Sequence, residues 1–448
     1  MYKLILAIRY LLKRRITWLA LLSVALCVFV VVVVMTIMAG LVGDYKTNNH
    51  NWVGDCVVTS DSLVGFAYYE EFIEQLRAEL FVSAAAPVIT SHCVLTPAGY
   101  DEGRPAEIMG IDPERHCKVT TFGRTLYYHK DCLDAFEPNY APSLPGCVIG
   151  IDLALNRDSE GNYYHPTPPP SNSFAVNCFP LTARGALARG DIDVVETKTF
   201  YFSDTSQSGV AKVDGAYIYV PFADAQKLCG MDGPKKRASA IHIKFAAGVP
   251  LARGTDKVAR FWDEFVAGYK AESNSELFEN VRVQTWKSFR RETIAAVESE
   301  QMLMTVIFSM LGIVAVFIVL VVFYMIISHK SKDIGILKSI GVAGYNIMSL
   351  FLGFAAIIGI VASALGTAAA LVVLHYADAI EHWFYSRWQL QVWDRQMYAI
   401  GGIPNDINLG LLAVIIAAAI TVCLVGALIP SYQAARKQPV QTLQVSQL

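Results

Sequence analysis

Charge is scarce in this chain of 448 residues: 17% of positions are Asp, Glu, Lys or Arg, against 54% hydrophobic, and the mean hydropathy is +0.39. A soluble domain is charged at about a quarter of its positions, so the shortfall points to apolar surface that faces lipid rather than to a large ordinary core. With a formal net charge of −2 the chain offers no basic field for nucleic acid, and no nucleic-acid partner is expected. The phosphate-loop pattern GxxxxGK followed by Ser or Thr is missing, which excludes nucleotide binding of that kind. HExxH, GxSxG and a paired-carboxylate constellation are missing too, and the nine histidines are scattered. Nothing here argues for catalysis. No CxxC occurs and the cysteines lie far apart, which argues against zinc; this chain is expected to carry neither metal nor cofactor.

Four segments are long and apolar enough to cross a bilayer, which takes about 20 residues: 16–43, 302–328, 347–374 and 409–432. None holds an Asp, Glu, Lys or Arg, so the intramembrane charges that mark ion-driven carriers are missing as well. The first is far longer than the 7–15 apolar residues usual in a signal peptide, and it reads as a retained anchor. Lys and Arg concentrate in the short segments that stay in the cytoplasm. They cluster before the first span (Lys3, Arg9, Lys13, Arg14, Arg15), between the second and third (Lys330, Lys332, Lys338) and after the fourth (Arg436, Lys437). The expectation is a cytoplasmic N-terminus (1–15), a large domain outside (44–299), a cytoplasmic loop (329–346), a short outer loop (375–408) and a cytoplasmic tail (433–448).

The outer stretch alternates short β-rich runs with helical ones, as in CVVTS (56–60), YYEEFIEQLRAEL (68–80), AYIYVPFADAQKLCG (216–230) and SAIHIKF (239–245). Between 91 and 215 the helical period fades and Pro and aromatic residues increase. The fold class is therefore an α-helical membrane protein with four transmembrane helices plus a large extracytoplasmic α/β domain (44–90 and 216–299) carrying an inserted β-rich subdomain (91–215). Cys27 and Cys423 lie in spans. The other seven (Cys56, Cys93, Cys117, Cys132, Cys147, Cys178, Cys229) lie outside, where disulfides and inert buried thiols are both open readings. From Phe289 to Met302 there is no Gly or Pro. This segment reads either as a stalk running unbroken into the second span or as an amphipathic helix on the surface.

The segment SHKSKDIGILKSIGVAGYNIMSLFL (328–352) places Ile334, Leu337 and Gly341 on one helical face, with Ile336 and Ile340 beside them, and Lys332, Asp333 and Lys338 at the fringe. Periodicity leaves two readings: a ridge pressed into a soluble partner, or a helix lying in the headgroups. This stretch resembles the signature after the second span of the permease family that includes the Lol lipoprotein-releasing system, the macrolide exporter and the cell-division permease. AIRYLLKRR at the start, EIMGIDPE (107–114), VIGIDLA (148–154), YVPFADAQ (219–226) and MYAIGGIP (397–404) are similar to Lol segments in the same order. IPSYQAARKQPVQTLQ (429–444) is similar to the family's closing P-x3-AA-x3-P pattern.

The resemblance implies a multi-pass protein of the bacterial inner membrane with its large domain periplasmic, serving as the permease subunit of an ABC transporter. ATP and Mg would be bound by a partner ATPase dimer, which Lys332, Asp333, Gly335, Leu337, Lys338 and Gly341 would contact. Four helices are too few to enclose a bulky substrate, so a second permease copy or a paralogue is expected. The small pairs Gly359/Ser363 and Ala362/Gly366 in the third span suit contact between subunits or packing within one. Val30, Val34, Ile37 and Leu41 share one face of the first span and could line a cavity for acyl chains or simply face lipid. A hairpin around Arg184 and Arg189 (180–191) could grip a periplasmic carrier, or be a plain surface turn. Three functions fit: release of lipoproteins, export of a drug, peptide or other envelope substrate, and transmembrane signalling to a cell-wall hydrolase.

Overall fold

The computed structural model describes residues 15–436, apart from 157–162, 180–195, 271–277, 279, 389–401 and 406. In chain order the main elements are helix α1 (Arg15–Val53), β1 (Cys56–Ser60), β2 (Phe66–Ala67), α2 (Tyr69–Arg77), β3 (Val82–Pro97), β4 (Arg104–Ile111), α3 (Pro113–Val119), β5 (Gly146–Gly150), β6 (Ser173–Cys178) and β7 (Glu196–Ser206). There follow β8 (Tyr217–Pro221), α4 (Phe222–Leu228), β9 (Arg237–Ala238), β10 (Ala240–Phe245), α5 (Leu251–Lys270) and β11 (Val281–Thr285). The last are α6 (Arg291–His329), α7 (Ser331–Ser339), α8 (Gly344–His375), α9 (Ala377–Trp388) and α10 (Leu409–Arg436). The chain divides into a sheet unit, built from Gly43–Ala295, and a helical unit built from most of the remainder.

The sheet unit is organised by one nine-stranded sheet in the order β11-β1-β10-β3-β4-β8-β5-β7-β6. The long strand β3 joins its two halves. Its first half pairs with β10 (Val88 opposite Ala240), and its second half pairs with β6 (Cys93 opposite Cys178). That second pairing returns the sheet to β3, so β3, β4, β8, β5, β7 and β6 make a closed ring and leave no bare edge between them. The period of two explains what fills the ring. Ile89, Cys93 and Leu95 of β3, Ile108 of β4, Ile149 of β5, Val176 of β6, Phe200 of β7 and Ile218 of β8 form one buried cluster. The ring coincides with the segment of high Pro and aromatic content, with β8 and the shared strand β3 lying at its borders.

The open half of the sheet is covered by helices. On α5, Val258, Trp262 and Phe265 recur at helical spacing and pack with Phe72, Ile73 and Leu76 of α2 and with Ile241 and Ile243 of β10. Gly110 of β4 lets α4 lie close, since a Cβ there would come within 2.2 Å of Ala225 Cβ. Both readings of the outer cysteines hold in part: Cys117 and Cys132 form a disulfide, whereas Cys56, Cys93, Cys147, Cys178 and Cys229 are free thiols. Burial pushes the Cys56 thiol up to about 12, so it is inert at neutral pH.

Among the described residues four helices are long and apolar enough to span a membrane, at Thr17–Val53, Arg291–His329, Gly344–His375 and Leu409–Arg436, and they build most of the helical unit. Lipid tails are as apolar as leucine, so these helices associate through close backbone approach. Gly359 of α8 faces the backbone of Ile420 on α10, and Gly366 of α8 faces Ala25 and Val28 of α1. Ala362 and Ser363 are buried in the same packing. The small residues of the third span therefore serve contacts within this subunit. Helix α6 has 39 residues without a break. At 1.5 Å per residue it is about 59 Å long, roughly twice the hydrocarbon thickness.

Replacing Gly366 with Leu should destabilise the helical unit by about 1–3 kcal/mol, because the new side chain meets the Ala25 carbonyl 2.4 Å from its Cβ. Gly353→Leu should be nearly neutral, since its Cβ meets nothing within 4 Å. Thermal unfolding of the two variants in the same detergent checks the difference.

Candidate coupling sites

Helix α7 joins α6 to α8 and is closed at both ends by local chemistry. Lys330 Nζ meets Asp333 Oδ2 at 2.6 Å across its first turn. At its end, Gly341 N–H donates to the Lys338 carbonyl and Val342 N–H to the Leu337 carbonyl. With Gly341 at φ +94°, this is a Schellman cap, and the left-handed conformation is why glycine stands there. Ile334 is 2% exposed and packs with Ile327, Ile347, Phe351 and Ala434. Lys338 Nζ donates to the Ala435 carbonyl at 2.7 Å, and a Cβ on Gly344 would lie 2.8 Å from that same oxygen. The loop therefore rests on the end of α10. What it leaves outside is a different ridge: Ile336 at 50% exposure, Ile340 at 76% and Tyr345 at 79%.

The second cluster lies in the sheet unit, where the last turns of α1 meet the turn before α6. Asn49 is fully buried; its Nδ2 donates to the Tyr45 carbonyl, and its Oδ1 accepts from Arg290 Nε at 2.8 Å. The Arg290 guanidinium lies 4.9 Å from the Trp52 ring centre, and Trp52 Nε1 donates to the hydroxyl of Tyr219, a fully buried residue of β8. Burial pulls Arg290 below its usual value, against Tyr217, Tyr45 and Glu107, which favour the cation. Beside it, His50 Nε2 meets Asp55 Oδ1 at 2.7 Å while its ring stacks on Trp286. Burial alone would raise the Asp55 carboxyl, but the His50 hydrogen bond and the Phe245 amide outweigh burial and hold it below its usual value. Arg290, Asn49 and Trp52 thus clasp the last turns of α1 to the turn that leads into α6.

A third feature is a half-open apolar groove of about 470 Å³ on the helical unit, lined by α1, α6 and α10 with residues such as Val28, Val31, Phe308, Ile313, Leu411 and Val422. Among the described residues no group of three His, Cys, Asp or Glu side chains is placed to hold a metal ion.

A model of the FtsX-like permease C-terminal domain matches residues 305–439, which include α7, α8, α10 and their contacts. The chain is 24% identical over 365 residues to the lipoprotein-releasing system transmembrane protein LolC of Neisseria meningitidis serogroup B, covering 81% of this chain and 78% of that protein. It is 20% identical over 425 residues to the LolC of Xylella fastidiosa strain Temecula1, covering 95% of this chain and 92% of that protein. The chain thus carries an FtsX-like permease domain and is similar to LolC proteins along most of its length. Among solved structures, the periplasmic region of MacB from Actinobacillus actinomycetemcomitans covers 55% of the permease and 95% of its own chain, at 9% identity and a TM-score of 0.31. The extracellular domain of the transporter YknZ from Gram-positive bacteria covers 48% of the permease and 94% of its own chain, at 13% identity and a TM-score of 0.28.

The structure distributes the residues singled out in the permease sequence unevenly. Of the loop residues, Gly335 is buried, Leu337 is half-buried, Asp333 and Lys338 hold intramolecular partners, and Gly341 is the exposed cap of α7. The Lys332 side chain lies outside the described residues. Val30, Val34, Ile37 and Leu41 do not line the groove. They lie roughly a third of a turn round α1 from Val24, Val28, Val31 and Met35, which do. Leu41 is buried and the other three are half-buried. Arg184 and Arg189 lie outside the described residues. Sequence reasoning missed Asn49, Trp52 and Arg290, because 241 positions separate Asn49 from Arg290 and no local period links them.

Replacing Arg290 with Ala should leave the buried Asn49 carbonyl unpaired and remove the cation over Trp52, at about 2–4 kcal/mol. Arg290→Lys, which keeps the charge but lacks the planar fork, should recover only part of that. Denaturant unfolding of the full-length chain measures both.

Proposed function

We propose that this chain is the permease subunit of an ATP-driven transporter that releases lipoproteins from the bacterial inner membrane. The observation that carries the reading is the extent of the relationship to LolC proteins, which runs through 95% of the chain and includes the sheet unit as well as the FtsX-like part. In this reading the termini and α7 are cytoplasmic and the sheet unit is periplasmic, as the distribution of Lys and Arg favours. ATP and Mg belong to a separate ATPase dimer, and this chain is non-catalytic. A second permease copy or a paralogue completes the assembly, and a periplasmic carrier receives the lipoprotein.

The ATPase would dock on the ridge of Ile336, Ile340 and Tyr345 rather than on Leu337, which is half-buried. Because α7 is fastened to the end of α10 through Lys338, and Ile334 is packed beneath it, a push on the ridge moves α6, α8 and α10 together. The unbroken helix α6 would carry the displacement to the clasp at Arg290. Drawing an acyl chain from the bilayer costs about 0.8 kcal/mol per CH₂. An apolar groove that shelters part of a lipid anchor would reduce the work each ATP must supply.

Ile336→Asp with Ile340→Asp should abolish co-purification of the ATPase subunit while leaving the permease folded, because both side chains are exposed. Cells depending on this variant should retain lipoproteins in the inner membrane. Undiminished recovery of the ATPase would contradict the docking surface. Normal lipoprotein release in cells lacking the permease altogether would contradict the substrate class.

A further inference from the structure

Helix α9 is amphipathic in the opposite sense to a helix on a soluble protein. At about 100° per residue, Tyr376, Ile380, Trp383, Phe384, Arg387 and Trp388 share one face, and Asp378, His382 and Tyr385 lie on the other. The polar side touches the rest of the chain at two points, while His382 on it is exposed. Asp378 Oδ1 accepts from the Ile403 N–H at 3.1 Å, and Glu381, at the border of the two faces, is only 7% exposed. The aromatic side is open over most of its length: Trp383 is 56% exposed, Trp388 57% and Tyr376 55%, with Phe384 half-buried between them. The rings of Trp383, Phe384 and Trp388 each lie 5.2 Å from the other two, so they form one continuous patch.

Water is a poor neighbour for such a patch, because each aromatic side chain has about 150–250 Å² of surface to bury. The chain itself indicates what lies next to it. Helix α9 begins at Ala377, two residues after α8 ends at His375, and α8 is one of the four helices apolar enough to cross a membrane. A helix continuous with the end of a span lies at the level where tryptophan and tyrosine concentrate, with an apolar ring in the acyl region and a polar edge among the headgroups. Arg387 is exposed on the same face, between Trp383 and Trp388, where its guanidinium can pair with a phosphate.

We propose that α9 is an interfacial helix whose Tyr376–Ile380–Trp383–Phe384–Trp388 face lies in the headgroup–acyl boundary of a phospholipid leaflet, with Arg387 directed to lipid phosphate. The inference needs only that the chain spans a membrane, and it stands whatever the permease transports. Its consequence is positional: α9 sets the depth of the end of α8 in that leaflet.

The test uses the full-length permease in nanodiscs of phosphatidylcholine brominated either near the headgroup or near the chain end, with iodide as a quencher confined to water. Tryptophan emission is compared between wild type and a Trp383→Phe, Trp388→Phe variant, and the difference isolates these two residues among the chain's seven tryptophans. The difference component should be quenched by the shallow bromine at least about twofold more than by the deep one, and spared by iodide. Quenching by iodide but by neither lipid would put the face in water. Quenching by none of the three would put it under protein, such as a second copy of this chain. Either result overturns the proposal. If the double variant unfolds, the single Trp388→Phe change gives the same three-way comparison.

Discussion

A helix that is not interrupted moves as one body, and the permease is built around that constraint. In α6 the 39 residues from Arg291 to His329 include no proline and only one glycine, Gly312, so no backbone hydrogen bond along them is forfeited to a break. A polar loop between the domain and the span would have absorbed any displacement. Instead each end of α6 is fastened by specific chemistry: Arg290 to Asn49 and Trp52 before it, and Lys330, Ile334 and Lys338 just after it. The free energy in these contacts is modest, about 1–3 kcal/mol for each buried hydrogen bond to a charged group. Their effect is to make the two ends stiff.

The two segments that carry the family resemblance meet in space, which gives their pairing a physical reason. The loop motif supplies Ile334, Lys338 and Gly344, and the closing motif supplies Ala434 and Ala435, the former fully buried and the latter offering its carbonyl. A bulkier residue at 344 would strike that carbonyl. A different side chain at 434 would have to fit among Ile327, Ile347 and Phe351. The alanine pair is thus a landing surface for the loop. Pro430, inside α10, lies one turn before it.

Much of the architecture was legible because the membrane imposes length and polarity on local sequence. The apolar segments 16–43, 302–328, 347–374 and 409–432 all fall inside the four long helices. The helices overrun them at α1 and α6, since hydropathy marks contact with lipid and not the extent of a helix. The loop helix was legible too, but its orientation was not. Period alone sets Ile334 apart from Ile336 and Ile340, and only Phe351 and Ala434, from other helices, determine which of them is buried. The same limit applies to α1, where two apolar stripes look alike and only the neighbouring helices α6 and α10 select the one beside the groove. The β ring was out of reach for a further reason: its closure depends on the register of Cys93 against Cys178, set by long-range pairing.

In the proposed function, displacement passes through α6 as a rigid rod. The most direct measurement is lipoprotein release, alongside ATPase activity, by the reconstituted full-length complex with three glycines inserted after Val297, in the stretch of α6 that precedes the apolar run. A rigid α6 requires that this variant assemble and still hydrolyse ATP but release no lipoprotein. Release at the wild-type rate per ATP hydrolysed would contradict it.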